Sequence, residues 1–175
     1  MSQLVDFQGY RPRVGARVFI ADSARVIGNV ELGDDVNLWF GSVLRGDVGK
    51  ITVGARSNVQ DLACLHMTRE VSNVVVGADV TIGHGAIVHG AIIGDGCLVG
   101  MGSILLDNVE LGAECIVGAG AMLTANQRFS PRSLVLGNPG RVVRELSEKE
   151  YQSGRLGAAS YLELVERYGA PSGAA

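Results

Sequence analysis

Aliphatic residues return at every sixth position along most of this chain, and a small or β-branched residue follows each of them four positions later. The aliphatic series consists of Val14, Ile20, Val26, Leu32, Leu38, Leu44, Val53, Val59, Leu65, Val76, Ile82, Val88, Ile93, Val99, Leu105, Leu111, Val117 and Leu123. The period differs from the roughly 3.6 residues of a helix and from the alternation of a single strand. It is typical of a parallel β-helix built from hexapeptide repeats.

Three such hexapeptides form a triangular coil, and successive coils stack at the strand spacing of about 4.8 Å. Residues 14–125 would then make about six coils, enough for a stable repeat array. Glycine supports this prediction, because 25 of the 175 residues are glycine, about twice the usual share, and many follow the aliphatic residue at a corner. The predicted fold class is therefore an all-β solenoid.

The repeats divide the chain into an N-terminal segment (residues 1–13), the solenoid (residues 14–140) and a C-terminal helix with a tail (residues 141–175), all within one domain. Ser147 and Glu150 have the spacing of a capping box, so we expect a helix from there to about Tyr168, broken near Gly154 and Gly157, and a frayed tail after it. An apolar stripe on this helix should pack on the solenoid; it comprises Leu156, Tyr161, Leu164, Val165 and Tyr168.

Charge and hydropathy exclude several classes of function. The formal net charge is −3, which argues against a nucleic-acid partner, and no apolar run has the roughly 18 residues of a membrane span. The N-terminus lacks the apolar region of a secretory signal, so we expect a cytoplasmic protein. Cys64, Cys97 and Cys115 lack the spacing of a disulfide framework or a zinc site, and we interpret them as small buried residues.

The chain has only three histidines, and all of them fall within the repeats. His66 follows Leu65 and His89 follows Val88, and these two aliphatic residues are successive occupants of one face. The two imidazoles should therefore be stacked one strand spacing apart, with Arg45 in the same position one coil earlier. The sequence separations exceed one coil, so we expect loops to bulge out at residues 47–50 and 67–73.

His84 follows Ile82 by two residues and belongs to the preceding face, with a corner between it and His89. A neighbouring copy of the chain is better placed to bring His84 to the other two histidines. Triangular prisms pack naturally as a threefold ring, so the sequence predicts a homotrimer with metal sites between subunits.

Three neutral imidazoles with one open position are the ligand set of a catalytic zinc, although imidazole also suits Fe²⁺ and Co²⁺. Gln60 lies where its amide can hydrogen-bond a water on the metal. Arg45, Asp47 and Asp61 can form an ion-pair network across the subunit interface that orients the ligands. A solvated corner of exposed charges is the alternative interpretation of that network.

These motifs together resemble those of the gamma-class carbonic anhydrases over roughly residues 10–168. The resemblance rests on Leu44-Arg45-Gly46-Asp47, Asn58-Val59-Gln60-Asp61, Leu65-His66, Ile82-Gly83-His84, Val88-His89-Gly90, Gly100-Met101-Gly102 to Leu106-Asp107, and Gly137-Asn138-Pro139.

The resemblance implies a trimeric left-handed parallel β-helix with a C-terminal helix. It also implies that zinc, iron or cobalt is bound by His66 and His89 of one chain and His84 of its neighbour. The activity implied is reversible hydration of CO₂ to bicarbonate by metal-bound hydroxide. A tyrosine in an A-x-x-Y pattern often lies near the site in the bacterial branch, and Tyr161 matches it; its alternative role is helix packing.

The chain departs from the family at the glutamates that export the proton. Val48 stands directly after the Arg-Gly-Asp, and residues 62–65 contain no acidic loop. Glu70 or Tyr161 would have to substitute, and turnover should be slower. Two other functions remain open: a coenzyme-A-dependent hexapeptide acyltransferase with a histidine base, and a metal-binding trimeric scaffold with weak or no activity.

Overall fold

The computed structural model describes residues 3–169; the remaining ends of the predicted N-terminal segment and tail, residues 1–2 and 170–175, lie outside it. The described chain contains twenty short strands followed by one helix. In order they are β1 (Leu4–Val5), β2 (Arg13–Val14), β3 (Phe19–Ile20), β4 (Arg25–Leu32), β5 (Asn37–Leu38), β6 (Val43–Val53), β7 (Asn58–Val59), β8 (Cys64–His66), β9 (Val74–Val76), β10 (Thr81–Ile82), β11 (Ile87–His89), β12 (Ile92–Ile93), β13 (Leu98–Val99), β14 (Ile104–Leu105), β15 (Glu110–Leu111), β16 (Ile116–Val117), β17 (Met122–Leu123), β18 (Arg128–Phe129), β19 (Ser133–Leu136), β20 (Arg141–Glu145) and α1 (Glu148–Gly169).

The strands stack into three walls of a parallel β-solenoid. The first wall contains β6, β8, β11, β14 and β17, and the second contains β6, β9, β12, β15 and β18. They form one sheet because β4 and β6 continue around the corner between the two walls. The third wall stacks β3, β5, β7, β10, β13, β16 and β19 in parallel, and β20 closes it as an antiparallel strand. The predicted β-helix with a C-terminal helix is confirmed, with about one coil more than expected.

The core lies inside the three walls and consists of the two residue series predicted from the repeat. Leu38, Leu44, Leu65, Val88 and Leu105 are fully buried, and so are the small residues that alternate with them. Burying each side chain of this size stabilises the fold by about 1.5–3 kcal/mol. Val14 is 39% exposed, because no further coil among residues 3–169 covers the N-terminal end of the solenoid. Cys97 and Cys115 are buried free thiols, as expected, and Cys64 is half-buried.

Glycines after the aliphatic residue serve close approach between coils. A Cβ on Gly54 would lie 2.5 Å from the carbonyl carbon of Gly77, and one on Gly83 would lie 2.8 Å from the backbone nitrogen of Met101. The corners themselves contain left-handed residues that are often polar, such as Asp79 with a φ of 57°. Glycine therefore recurs after the aliphatic residues mainly because the coils stack closely there, and less because the turns require it.

The extra residues between coils are accommodated in two different ways. Residues 67–73 form a loop between β8 and β9, as predicted. Residues 47–50 do not leave the wall: they belong to the continuous strand β6, so the prediction of an outward loop there is wrong. The pairing of β4 with β6 shifts instead, from Gly28 opposite Gly46 to Val30 opposite Ile51. The inserted residues interrupt the pairing as a bulge at the corner, and the pairing resumes at Ile51.

Helix α1 begins with the predicted capping box, in which the Ser147 backbone nitrogen donates to Glu150 Oε2 at 3.0 Å. The predicted break at Gly154 and Gly157 is wrong, because the helix is continuous to Gly169. These glycines instead let the helix approach the third wall closely: a Cβ on Gly154 would lie well inside van der Waals contact of the Gly96 carbonyl oxygen. Among residues 3–169, no helix has the length and apolarity to cross a membrane.

Only part of the predicted helix stripe packs on the solenoid. Leu156 is 66% exposed, whereas Tyr161 and Tyr168 each contact Trp39 with a ring-centroid distance of 5.2 Å. The Trp39 indole donates to Asn37 Oδ1 at 2.7 Å. This aromatic contact fixes the C-terminal half of α1 against the third wall.

Candidate metal centre

His66 and His89 lie side by side on the first wall, as their sequence positions predict. They are direct partners in the β8–β11 pairing, and their ring centroids are 5.3 Å apart. His66 Nδ1 and His89 Nε2 face each other at 3.4 Å. Two nitrogens that share a tetrahedral zinc ion, with bonds of about 2.0–2.1 Å, are separated by about 3.3 Å. The pair therefore has the spacing of two adjacent ligands of one ion.

A carboxylate lies beside the other nitrogen of each ring in this pair. His66 Nε2 lies 3.0 Å from Asp47 Oδ1, and His89 Nδ1 lies 3.4 Å from Asp107 Oδ1. If each carboxylate accepts an N–H, the two nitrogens that face each other both carry lone pairs. Such an arrangement is unfavourable unless a cation lies between them. Carboxylates in this position are the usual outer partners of metal-binding histidines.

Arg45 and Asp47 form the ionic partner of His66. The Arg45 guanidinium donates to Asp47 Oδ2 at 2.5 Å. Burial acts to raise the pKa of Asp47, but hydrogen bonds from Arg45 and His66 outweigh it and hold that pKa below its ordinary value. Asp47 is therefore ionised at neutral pH and accepts the His66 N–H.

Asp107 escaped the sequence analysis as a site residue. Its carboxylate accepts hydrogen bonds from the Thr68 hydroxyl at 2.8 Å, from the Thr68 backbone nitrogen at 3.3 Å and from the Ser72 hydroxyl. Burial acts to raise the pKa of Asp107, but the bonds from Ser72 and Thr68 lower it below its ordinary value. Two sequence signals pointed to it without giving it a role: Leu106-Asp107 is part of the family resemblance, and Asp107 lies one coil beyond Gly90, next to the histidine column.

His84 occupies the corner between the third wall and the first wall. Its Nδ1 lies 2.7 Å from Asp61 Oδ2, and its Nε2 lies 3.4 Å from the Tyr161 hydroxyl. Burial raises the pKa of Tyr161, and the charge of Asp61 raises it further, so the phenol stays protonated. His84 is more open than the other two histidines, with 45% of its side chain exposed against 17% for His66.

Gln60 is buried beside His84. Its Oε1 accepts from the His84 backbone nitrogen at 3.2 Å, and its Nε2 donates to Asn58 Oδ1 at 3.2 Å. Gln60 thus lies at the His84 corner and not beside His66 and His89. Asp61 likewise contacts His84 and does not contact Arg45 or Asp47, so one chain brings together only part of the predicted charge network.

One chain presents two converging ligands and no third. Within residues 3–169, no group of three His, Cys, Asp or Glu side chains is placed to hold one metal ion. His84 points elsewhere, toward Tyr161 and a groove of about 410 Å³ along the third wall. Apolar side chains make much of the groove lining, among them Leu98, Met101 and Ile116.

An apolar stripe runs along the outer face of the first wall, between the His84 corner and the His66–His89 pair. We call it the first-wall stripe; it comprises Val43, Cys64, Ile87, Ile104 and Met122, which pair in register from β6 to β17. Ile87 is 41% exposed. Helix α1 packs on the third wall, against β5, β10 and β13, and the other residues of this stripe are half-buried.

Comparisons with known proteins concern the family and the fold of this chain. The family model "Bacterial transferase hexapeptide (six repeats)" matches residues 90–125. The chain is 40% identical to a carbonic anhydrase of Geobacillus kaustophilus over 162 residues, which covers 93% of this chain and 88% of that protein.

A mitochondrial gamma carbonic anhydrase 2 of Arabidopsis thaliana is 37% identical over 160 residues, covering 89% of this chain and 58% of the longer plant protein. A crystal structure of a hexapeptide transferase family protein from Anaplasma phagocytophilum superposes with a TM-score of 0.90 at 37% identity, covering 94% and 97% of the two chains. The coil-to-coil stacking, the three histidines and these similarities lead to one conclusion: the chain belongs to the gamma carbonic anhydrase family of hexapeptide-repeat proteins.

Proposed function

We propose that this protein is a metal-dependent carbonic anhydrase that hydrates CO₂ reversibly to bicarbonate at the interfaces of a homotrimer. The observation that carries the proposal is the 3.4 Å approach of His66 Nδ1 and His89 Nε2, with Asp47 and Asp107 on the opposite nitrogens. A shared cation would satisfy both lone pairs placed in this way. A cytoplasmic location remains a prediction.

The donor set fits zinc best, and iron or cobalt next. Neutral imidazole nitrogens suit all three ions, whereas magnesium and calcium prefer oxygen ligands. When bound, such an ion supplies a Lewis acid that lowers the pKa of water to about 7. His66 and His89 would hold the ion from one chain, and His84 from the neighbouring chain would supply the third nitrogen.

The trimer follows from what one chain lacks. The site is incomplete without a second copy, and the first-wall stripe leaves apolar surface exposed directly beside the histidine pair. Docking the stripe of one subunit against the groove of the next would bury both surfaces and carry His84 to its neighbour's pair. Such a heterologous contact closes into a ring when the rotation is threefold.

The chain's other residues then have distinct tasks. Asp47 and Asp61 hold the N–H groups of His66 and His84, so that each ring presents its remaining nitrogen. Across the interface, Asp61 approaches the Arg45–Asp47 ion pair of the neighbouring chain and fixes the alignment of the two subunits. Gln60 and Tyr161 border the groove at His84, where the Gln60 amide and the Tyr161 hydroxyl can orient water and bicarbonate. The apolar groove admits CO₂, which carries no charge.

Proton export falls to Glu70 in this proposal. The raised pKa of Tyr161 makes its phenol a poor proton carrier near pH 7. Glu70 is exposed on the loop of residues 67–73 and lines a cavity of about 440 Å³ together with Asp47. A carboxylate at that place can pass protons to solvent, although it is not bonded to the metal ligands.

An acyltransferase is the second candidate function. The His84–Asp61 pair at 2.7 Å beside an apolar groove resembles a general base with its orienting carboxylate. That function leaves His66 and His89 without a task, whereas the metal-dependent function uses all three histidines. A metal-binding scaffold with weak activity is the third candidate, because the usual glutamates are absent.

The test is complementation between two inactive variants, His84→Ala and His89→Ala. Each alone should form trimers that lack zinc at full occupancy and lack CO₂ hydration. When the two are co-expressed with different tags and assembled at random, three quarters of the trimers are mixed, and each mixed ring contains one intact site. We expect about one quarter of the wild-type activity and zinc content.

Each outcome separates the candidates. Absence of complementation would contradict a site shared between subunits. Zinc recovery without CO₂ hydration would favour the scaffold. A wild-type protein without metal that transfers an acyl group from coenzyme A to an amine would favour the acyltransferase. As a control, mixing His66→Ala with His89→Ala should restore nothing, because both variants damage the same half of the site.

A further inference from the structure

Asp107 occupies an unusual position for a corner carboxylate of this solenoid. Two other corner aspartates bind the backbone of the preceding coil: Asp34 accepts from the Ala16 backbone nitrogen at 2.8 Å, and Asp95 accepts from that of Ala78 at 2.9 Å. Asp107 instead reaches out of its corner to His89 and to the loop of residues 67–73.

The contact with His89 determines which of its nitrogens is free. Asp107 Oδ1 lies 3.4 Å from His89 Nδ1, and a negative charge at that distance favours the His89 tautomer that has its proton on Nδ1. Which ring nitrogen binds a metal is set by the hydrogen bond that the other nitrogen makes. Under this selection His89 Nε2 is bare, and it is the atom that faces His66 Nδ1.

The loop fixes the carboxylate that makes this selection. Thr68 gives Asp107 two hydrogen bonds, one from its hydroxyl and one from its backbone nitrogen, and Ser72 gives a third. These donors leave little freedom for the Asp107 side chain. Gly90 is needed in the same place, because a Cβ there would collide with Ser72 Oγ and Asp107 Oδ1.

We infer that Asp107 is the positioning residue of His89, and that Thr68 and Ser72 of the loop hold it in place for that task. The inference rests on the proposed metal function and adds a specific device to it. The loop of residues 67–73 is thereby part of the metal centre without supplying a ligand.

The first readout needs neither metal nor activity. The chain has three histidines, so the ring nitrogens of the metal-free protein labelled with ¹⁵N-histidine give few signals, which the single histidine variants assign. In the wild type, His89 should be protonated on Nδ1 and bare on Nε2. In Asp107→Ala the signals should move toward a mixture of both tautomers. Asp107→Asn, whose amide oxygen still accepts the proton, should retain the wild-type tautomer.

The second readout is zinc affinity, measured by competition with a chelating dye. Loss of an outer hydrogen-bond partner typically lowers metal affinity about 10–100-fold, and we expect this range for Asp107→Ala. Asp107→Asn should recover part of the loss, and Ser72→Ala should show a smaller loss than Asp107→Ala. Asp95→Ala is the matched control, because it removes a corner carboxylate far from the histidines and should bind zinc as the wild type does.

The two readouts separate this inference from the proposed function. Wild-type tautomer and zinc affinity in Asp107→Ala would overturn the inference and leave the metal centre intact. A wild type that binds no zinc would overturn the proposed function, whereas a tautomer that still depends on Asp107 would support the positioning of His89. If Asp107→Ala does not fold, Asp107→Asn and Ser72→Ala carry the test.

Discussion

The protein has two histidine corners, and they are built by different means. One is the His66–His89 pair at the end of β8 and β11 on the first wall, and the other is the His84 corner. His66 and His89 sit on adjacent strands of one wall, so backbone pairing sets their separation, and they are mostly buried. His84 sits on a corner where Asp61, the Gln60 amide and Tyr161 of helix α1 surround it, and nearly half of its side chain is exposed. The position of the His66–His89 pair depends on coil register, whereas the position of His84 depends on neighbouring side chains and on the docking of helix α1.

This difference shows which part of a site shared between subunits can be rigid and which part must be able to move during assembly. Two ligands fixed by the same sheet form a preorganised half-site, because no loop has to be ordered when the ion binds. The third ligand arrives on another molecule and meets the pair only after assembly. A side chain with greater exposure and a single carboxylate partner has the freedom that this step requires.

The largest effect should come from removing one ligand of the pair. His89→Ala leaves His66 and His84, which belong to different subunits, whereas His84→Ala leaves the preorganised pair. We expect His89→Ala to lower zinc affinity by more than about 100-fold, beyond the effect of losing an outer partner, and His84→Ala to lower it less. Competition with a chelating dye measures both. Equal losses would remove the distinction between the two corners.

Helix docking provides a test that should disturb the His84 corner alone. Gly154→Ala places a Cβ against the backbone oxygen of Gly96, and such overpacking costs about 1–3 kcal/mol. Gly157→Ala is the matched control: its Cβ would meet only the Thr81 hydroxyl at 3.2 Å, and alanine gains up to about 1 kcal/mol of helix propensity. Urea unfolding followed by fluorescence of Trp39, the single tryptophan, measures both. A stability loss in both variants alike would contradict this difference in docking.

A smaller effect should follow from Tyr161→Phe, which removes the hydroxyl beside His84 and keeps the ring on Trp39. One hydrogen bond contributes about 0.5–1.5 kcal/mol, so kcat/KM for CO₂ should fall by about two- to tenfold with zinc content unchanged. Because the pKa of Tyr161 is raised, the pH profile between 6 and 9 should keep its shape. An unchanged kcat/KM would assign Tyr161 to helix packing alone.

The smallest effect concerns the first turn of α1, remote from both corners. Arg144 and Ser147 hold the pKa of Glu150 below its ordinary value. A carboxyl group whose pKa is lowered in the folded state stabilises the protein at pH values above its unfolded pKa of about 4.3. This stabilisation is lost progressively as the pH falls below that value. Glu150→Gln should therefore lower the urea midpoint slightly at pH 7, and the difference should shrink toward pH 3.

Glu148→Gln is the control for that change, since Glu148 lies in the same turn but no ion pair of Glu148 exists among the described residues. It should have a smaller effect than Glu150→Gln at pH 7. A larger effect would assign the stabilisation to helix-end charge in general. Zinc affinity should be unchanged in both variants, because neither residue touches a histidine corner.

Much of the fold was predictable because the hexapeptide period leaves few alternatives. The occupants of each wall follow from counting, and so does the stacking of His66 on His89. Counting failed where the period is interrupted: residues 47–50 stay within β6, whereas residues 67–73 form a loop. An interruption of the repeat shows that extra residues are present, but it does not show whether they form a bulge within a strand or a loop outside it.

The site was predictable only as far as backbone register carries it. Asp107 lies directly beside His89, but a loop of irregular conformation holds it there, and no repeat defines where Thr68 and Ser72 will point. Gly154 and Gly157 were misread for a similar reason. Glycine weakens an isolated helix, but here the neighbouring wall needs its small size, and only the tertiary contact with Gly96 reveals that need.

The stacked column that contains Arg45, His66 and His89 continues with Leu106 on the next coil, because Val88 pairs with Leu105. Every position in such a column projects from the same place on its own coil. In evolutionary terms this makes the ligand set easy to edit. A single codon change can install or delete a coordinating side chain in this column without moving the backbone.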